Sequence, residues 1–156
     1  MSTLNVDTIQ DKGAAFEHAR LVQVLSTSKA DVFTSTSTSL ADITGLSQAI
    51  TPTHASNKLL IEAVVQYATA SNVAMCCALF QDSTAGALAC AGQYGSNREQ
   101  SSISLQHYMT TGTTSSTTFK VRFGATSGTT TINGDNGART YGGVCTTGIT
   151  ISEIRV

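Results

Sequence analysis

Alternation of apolar and polar residues, repeated along most of the chain, is the feature that most limits how it can fold. Phe119, Val121 and Phe123 alternate with Lys120 and Arg122, and residues 102–109 alternate in the same way. Side chains of a β-strand point alternately to its two faces, so each run predicts a strand with one buried face. Turn-forming clusters separate the runs, at residues 82–84, 95–97, 112–116, 127–128 and 133–137. Short strands at such spacing favour an all-β, antiparallel sandwich or barrel.

Two predicted strands carry apolar residues on both faces. Residues 73–80 place valine, methionine, cysteine and leucine on one face and alanine, cysteine and phenylalanine on the other, and residues 58–67 are similar. One face belongs to the core, so something must also cover the second face. A loop of the same chain could do so, but without a helical segment a neighbouring subunit is favoured. The predicted interface residues are Leu60, Val64, Ala74, Cys76 and Phe80.

Composition and charge exclude several classes of partner. The 156 residues suffice for one domain and a short arm. Charged residues make up 12% of the chain and its formal net charge is -1, so no basic surface attracts nucleic acid. No stretch approaches the ~20 apolar residues of a membrane span, and residues 1–10 lack the features of a secretion signal. We therefore expect neither a nucleic-acid nor a membrane partner.

Residues 1–20 differ in character from the rest and are predicted to form an extended N-terminal arm, followed by a sandwich domain in residues 21–156. The arm is too short to hold a core of its own, so it must dock elsewhere to be ordered. It either packs on its own oligomer or is held by a larger assembly. In the second case Leu4, Val6 and Ile9 are anchors and Asp7 is a polar contact that fixes the register.

Residues for catalysis are scattered, and we expect no enzyme, no catalytic residue and no cofactor. The histidines, His18, His54 and His107, show no spacing to a nucleophile and an acid, and no Gly-x-Ser-x-Gly motif is present. The candidate carboxylates are Asp82, Glu99, Asp135 and Glu153, and nothing pairs any two of them. The four cysteines lack metal-binding spacing and are interpreted as small buried residues, although a disulfide between Cys90 and Cys145 stays possible.

Two loops have compositions that suit binding. Residues 133–137 (NGDNG) bring oxygen atoms together as a calcium loop does, but they lack the carboxylate pattern of an EF-hand. Asn-Gly is typical of a tight hairpin turn, so we predict a turn and no metal site. The loop with Tyr94, Asn97 and Arg98 combines an aromatic ring with polar groups, which suits contact with a carbohydrate or a protein. Ordinary exposed loops contain the same residue types.

The opening residues 1–12 (MSTLNVDTIQDK) resemble the N-terminal attachment segment of short bacteriophage fibre-type virion proteins. The resemblance covers about the first 65 residues and includes a C-terminal strand. Its further motifs are residues 21–24, 33–39, 41–47, 50–52, 56–61 and 149–154. Residues 70–148 share only the general succession of strands and turns.

This resemblance implies a homotrimer with a jelly-roll-like β-sandwich, held by its arm to capsid or tail proteins and standing on the virion surface. The short chain favours a short fibre, a head fibre or a capsid decoration protein over a long tail fibre. The alternative function is a receptor-binding module whose distal loops contact a host surface glycan or protein. A cellular trimeric jelly-roll module of the complement or tumour-necrosis type is a third possibility, but it normally follows a signal sequence or a collagen-like stalk.

Overall fold

The computed structural model describes the backbone of residues 10–11 and 14–15 and the whole of residues 20–156. The strands are β1 (Gln10–Asp11), β2 (Ala14–Ala15), β3 (Arg20–Lys29), β4 (Phe33–Ser35), β5 (Ala41–Ile50), β6 (Lys58–Thr69), β7 (Val73–Gln81), β8 (Ala89–Gly95), β9 (Gln100–Thr110), β10 (Thr117–Ala125), β11 (Thr130–Ile132), β12 (Gly134–Asp135), β13 (Ala138–Arg139) and β14 (Thr147–Arg155). A 3-10 turn spans Tyr141–Gly143. None of the helical segments in this described part is long and apolar enough to cross a membrane.

Eight long strands pair as the strands of a jelly roll do. In chain order they are β3, β5, β6, β7, β8, β9, β10 and β14. The first pairs with the last, the second with the seventh, the third with the sixth and the fourth with the fifth. β14 also pairs with β6, and β10 with β7, so the eight long strands form two antiparallel sheets with the orders β3-β14-β6-β9 and β5-β10-β7-β8. The short strands β11 and β4 extend the first sheet, because β11 pairs with the C-terminal end of β6 and β4 pairs with β11. The predicted all-β, antiparallel, jelly-roll-like sandwich is thereby confirmed.

The core lies between the two sheets, where the alternation of β10 shows how it forms. Phe119, Val121 and Phe123 are fully buried, whereas Lys120 and Arg122 lie half-buried on the outer face, as the sequence predicted. Each large apolar side chain buried in this way contributes about 1.5–3 kcal/mol. Other buried members of the core are Ile43, Leu46, Ile50, Leu59, Ile61, Val65, Met75, Leu79, Ile103, Leu105, Ile149 and Ile151.

The sandwich has two distinct ends. The chain enters it at Arg20, which pairs with Arg155 at the end of β14, and β6 begins nearby with Lys58 paired to Thr110. We call this the proximal end. The connections β6–β7, β8–β9 and β10–β14 lie at the opposite, distal end, together with the segment between β3 and β5. The predicted boundary at residue 20 stays a prediction, and the predicted anchors Leu4, Val6, Asp7 and Ile9 lie outside the described residues.

The NGDNG segment forms the tight hairpin that its sequence predicted. β12 and β13 pair antiparallel, with Asp135 opposite Ala138. Asn136 and Gly137 make the two-residue turn, and both have left-handed backbone angles, with φ of 49° and 76°. A type I′ hairpin requires this conformation at both positions, which is why Asn-Gly favours it.

Candidate functional site

The outer face of the sheet β3-β14-β6-β9 carries a row of apolar side chains. Leu60 pairs with Tyr108 on one side and with Ser152 on the other, and Ser152 pairs in turn with Val24. Val24 is 49% exposed, Tyr108 55% and Val64, further along β6, 40%. We call Val24, Leu60, Val64 and Tyr108 the apolar row. Two of the predicted interface residues, Leu60 and Val64, therefore lie together on a partly exposed apolar surface.

The other three predicted interface residues, Ala74, Cys76 and Phe80, lie on the outer face of the opposite sheet, so the five residues form two separate patches. Within the second patch Phe80 is only 4% exposed, because the Arg122 guanidinium lies 4.3 Å from its ring centroid. Asp42 holds that guanidinium with a 2.6 Å contact from its Oδ1 to the Arg122 Nε. This hydrogen bond is the main reason that the pKa of Asp42 is lowered. Phe80 is thus covered by its own chain, and its place in an interface stays a prediction.

Ala74 and Cys76 line an open groove of about 520 Å³ in the distal half of this face. One wall is the segment that ends at Leu40, and the other is the ring of Tyr94. The segment can lie this close because of Gly124. A Cβ atom on Gly124 would meet the carbonyl oxygen of Ser39 at 2.8 Å. Small residues on the sheet therefore create the groove, and the crossing segment encloses it on one side.

The three residues of the predicted ligand loop have different roles in the structure. Tyr94 lies at the groove, and Asn97 and Arg98 make contacts that hold neighbouring loops together. Tyr94 is 66% exposed beside the groove, and its hydroxyl donates to the Asn72 carbonyl oxygen at 3.3 Å. The Asn97 backbone N–H donates to the Asn72 Oδ1 at 2.7 Å. Arg98 donates from Nε and Nη2 to one Asp135 oxygen, at 2.9 and 2.8 Å. Asn97 and Arg98 therefore hold the distal loops together, and Tyr94 faces the groove.

The cysteines are all free thiols, so the possible disulfide between Cys90 and Cys145 is not formed in this structure. Burial raises the pKa of the Cys77 thiol to about 12, and the neighbouring Cys76 makes a smaller contribution in the same direction. Burial is also the main cause of the raised pKa of Cys76, and the nearby Cys90 adds to it. Because the thiolate is the reactive form, Cys76 and Cys77 are poor nucleophiles near neutral pH.

Histidines and carboxylates do not assemble into a site within the described residues. His54 lies exposed in the turn before β6, with its Nδ1 2.8 Å from the Ser56 Oγ, and His107 lies half-buried on β9. Asp82 accepts hydrogen bonds from the Thr117 hydroxyl and the Thr118 backbone N–H, both at 2.7 Å. The part of the chain that the structure describes holds no group of three or more histidine, cysteine or acidic side chains placed to bind a metal ion. That the chain is not an enzyme stays a prediction.

The most strongly perturbed carboxylate is Glu153, and its environment was not predicted. Its side chain is fully buried at the proximal end, in contact with Gln23, Thr53 and Asn57. Burial alone would raise the pKa of Glu153, but hydrogen bonds from Asn57, Gln23 and Thr53 outweigh it and lower the pKa to about 2. These partners are structural residues of turns and strands, so the cluster joins parts of the fold. A buried carboxylate with four donors is a structural site.

The fold is similar to that of chains from infectious bursal disease virus. A chain from the crystal structure of the T13 viral particle is 14% identical, with a TM-score of 0.51, over 96% of this chain and 40% of that chain. A chain of the Gx strain is 14% identical, with a TM-score of 0.43, over 96% of this chain and 42% of that chain. This chain thus spans less than half the length of those viral chains. No family model matches the sequence, and no curated protein matches it.

Proposed function

We propose that this chain is a structural protein of a bacteriophage virion, a homotrimer that stands on the particle surface and is anchored by its N-terminal arm. The jelly-roll connectivity, shared with a chain of an icosahedral viral particle at a TM-score of 0.51, is the observation that carries the virion role. Jelly rolls also occur in lectins and cupins, so the fold alone does not select a virus. The resemblance of residues 1–12 to phage attachment segments adds that selection.

The placement of the chain entry supports anchoring by the arm. Residues 1–19 precede Arg20, which lies at the proximal end, and the long connections lie at the distal end. A domain held through the arm therefore presents its distal loops away from the particle. Leu4, Val6 and Ile9 would fill apolar pockets of a capsid or tail protein, and Asp7 would fix their register.

The apolar row supports a trimer with the outer face of the sheet β3-β14-β6-β9 at its centre. When a second copy covers exposed apolar side chains, their removal from water favours association by about 25 cal/mol per Å² of buried apolar surface. Leu60 and Val64 lie near the middle of this face, on β6. The small side chains of Thr150 and Ser104 on the neighbouring strands permit close approach, and the exposed Glu62, between Leu60 and Val64 on the same strand face, is a charge that the contact must accommodate.

Deletion of residues 1–12 tests the anchoring. Particles produced in the presence of the truncated chain should not incorporate it. The purified truncated chain should keep the sedimentation coefficient expected of a trimer and the circular dichroism spectrum of the full chain. Incorporation of the truncated chain at the wild-type level would show that the arm is not the anchor.

Sedimentation velocity tests the trimer. The wild-type chain should sediment as a trimer at micromolar concentration, and Val64→Glu should sediment as a monomer, since the substitution places a charge in the contact. Ser47→Glu is the matched control, because Ser47 is exposed on the outer face of the other sheet. A monomeric wild-type chain, or a Val64→Glu chain that stays trimeric, would contradict this interface.

A receptor-binding module is the second candidate, and the distal loops favour it because the Arg98–Asp135 pair fixes them in one arrangement. Particles that lack the protein discriminate between the two roles. The structural role predicts faster inactivation by heat with unchanged adsorption to host cells. Particles of normal stability that fail to adsorb would overturn the structural role in favour of the receptor-binding one.

A further inference from the structure

The groove beside Tyr94 has the size and the shape of a small-molecule site. Its volume of about 520 Å³ lies within the range of roughly 300–1,000 Å³ that is usual for ligand pockets. It is open on one side, between the segment that ends at Leu40 and the end of β8. A volume of this size is sufficient for a single sugar ring or a disaccharide.

The lining combines an aromatic surface with neutral hydrogen-bonding groups. Tyr94 and Leu40 supply the apolar walls, and Thr38 and Thr126 supply two hydroxyls. The Gln93 side chain points to the other face of β8, where its Nε2 donates to the Ser101 Oγ at 2.8 Å. None of the eleven described residues that line the groove is charged. A sugar ring has this same dual character, because its C–H faces pack on aromatic rings and its hydroxyls exchange hydrogen bonds with hydroxyls and amides.

The cation of the loop between β8 and β9 is already paired with a carboxylate. Arg98 is the cation of the β8–β9 loop, and both of its contacting nitrogen atoms bind Asp135. An anionic sugar would therefore find no free cation in that loop and would lose its hydration without compensation. The groove chemistry thus selects a neutral ligand.

The position of Tyr94 is fixed before any ligand arrives. Its hydroxyl donates to the Asn72 carbonyl oxygen, and in the loop that follows, the Arg98 backbone N–H donates to the Thr69 carbonyl oxygen at 2.7 Å. A Cβ atom on Gly95 would meet the Thr69 Oγ1 at 2.8 Å, so the strand end packs tightly on β6. A platform held in this way loses little conformational entropy on binding.

We propose that this groove binds a neutral saccharide unit, with Tyr94 as the stacking platform and Thr38 and Thr126 as hydrogen-bonding partners. This site would give the receptor-binding module, the second candidate function, its ligand class. Only the biological role of the ligand rests on that proposed function. Binding itself is a property of the sandwich, and it can be measured on the purified chain without a particle.

Saturation-transfer difference NMR with three probes at millimolar concentration tests the site. Maltotriose and N,N′-diacetylchitobiose are neutral, and 3′-sialyllactose is anionic. At least one neutral probe should show transfer and sialyllactose should show none. Tyr94→Ala should weaken the binding about tenfold, and Tyr94→Phe should retain it because the ring remains. Tyr141→Ala is the matched control, since Tyr141 is 72% exposed but does not line the groove, and it should leave binding unchanged.

Several results would overturn the proposal. They are the absence of transfer to both neutral probes, equal binding of sialyllactose, and unchanged affinity in a folded Tyr94→Ala chain. Loss of a subunit contact in Tyr94→Ala, seen as a lower sedimentation coefficient, would assign the groove to a second copy of the chain. Saccharide binding by the purified chain, together with normal adsorption of particles lacking it, would uphold the site and overturn only the receptor role.

Discussion

Asn57 and Glu153, 96 residues apart in the chain, are joined by a hydrogen bond of 2.6 Å from the Asn57 Nδ2 to the Glu153 Oε1. The same carboxylate oxygen accepts from the backbone N–H and the hydroxyl of Thr53, both at 2.9 Å. Its second oxygen accepts from the Gln23 Nε2 at 2.6 Å. Glu153 thereby ties the last strand to the first long strand and to the turn before β6. The free energy of this arrangement depends on the carboxylate being ionised.

The lowered pKa of Glu153 predicts acid sensitivity. Its pKa falls from 4.5 to about 2 on folding, so the ionised form stabilises the fold fully above pH 4.5. That stabilisation, of about 2–3 kcal/mol, should be lost as the pH falls from 4.5 towards 2. Urea unfolding followed by circular dichroism across this range measures it.

Glu153→Gln should lower the free energy of unfolding at pH 7 by about 1–3 kcal/mol, because an amide cannot accept from all four donors. The acid-dependent decline should become correspondingly smaller. Glu99→Gln is the control, since Glu99 is exposed in the loop between β8 and β9 and should change stability by less than about 0.5 kcal/mol. Identical pH profiles for the wild-type and Glu153→Gln chains would contradict the proposed linkage.

The long strands and the all-β, antiparallel class could be predicted because they depend on local alternation, whereas the jelly-roll-like arrangement was implied by the family resemblance. Phe119, Val121 and Phe123 lie on one face of β10 whatever the neighbouring strands are. The cluster around Glu153 could not be predicted in this way, because Gln23, Thr53 and Asn57 approach it only after three strands have paired. In the sequence Glu153 is an ordinary polar residue of a strand, preceded by Ile151 and Ser152 and followed by Ile154.

The two-faced strand β7 shows a second limit of local pattern. Its apolar outer face indicated that something covers Phe80, and a neighbouring subunit was favoured, whereas in the structure Arg122 of the same chain covers the ring. Arg122 reaches Phe80 because the β7–β10 register places Lys120 opposite Phe80 and Arg122 opposite Ala78. Register comes from pairing across the sheet, and a charged side chain can shield an aromatic ring with its guanidinium plane.

Because Arg122 contacts Phe80, its removal should destabilise the fold more than removal of the neighbouring cation Lys120. Arg122→Ala should destabilise the fold by about 1 kcal/mol, because it exposes the Phe80 ring and removes the closer partner of Asp42. Lys120→Ala is the matched control, since Lys120 lies on the same strand face and contacts Asp42 at a longer 3.4 Å. Chemical denaturation should rank the variants in this order, and equal losses would contradict the covering role of Arg122.

Gly124 predicts a steric effect at the groove. Gly124→Ala should destabilise the fold by about 1–3 kcal/mol, because its Cβ would lie 2.8 Å from the Ser39 carbonyl oxygen and force the crossing segment outward. Gly86→Ala is the control, since no atom lies within 4 Å of its Cβ position, and it should leave stability unchanged or slightly increased. Thermal unfolding of the two variants tests this. Equal melting temperatures would show that the segment does not pack closely on β10.

Burial and pKa together predict the order in which the thiols react. Cys90 is exposed and should be alkylated first by a maleimide at pH 8, whereas Cys77 should stay unmodified because it is fully buried and its pKa is raised to about 12. Cys76, half-buried beside the groove with a raised pKa, should react more slowly than Cys90. Peptide mass spectrometry after timed labelling gives the order, and labelling in guanidinium should modify all four cysteines. Rapid modification of Cys77 in the folded chain would show that β7 opens and that the core beneath it is accessible to solvent.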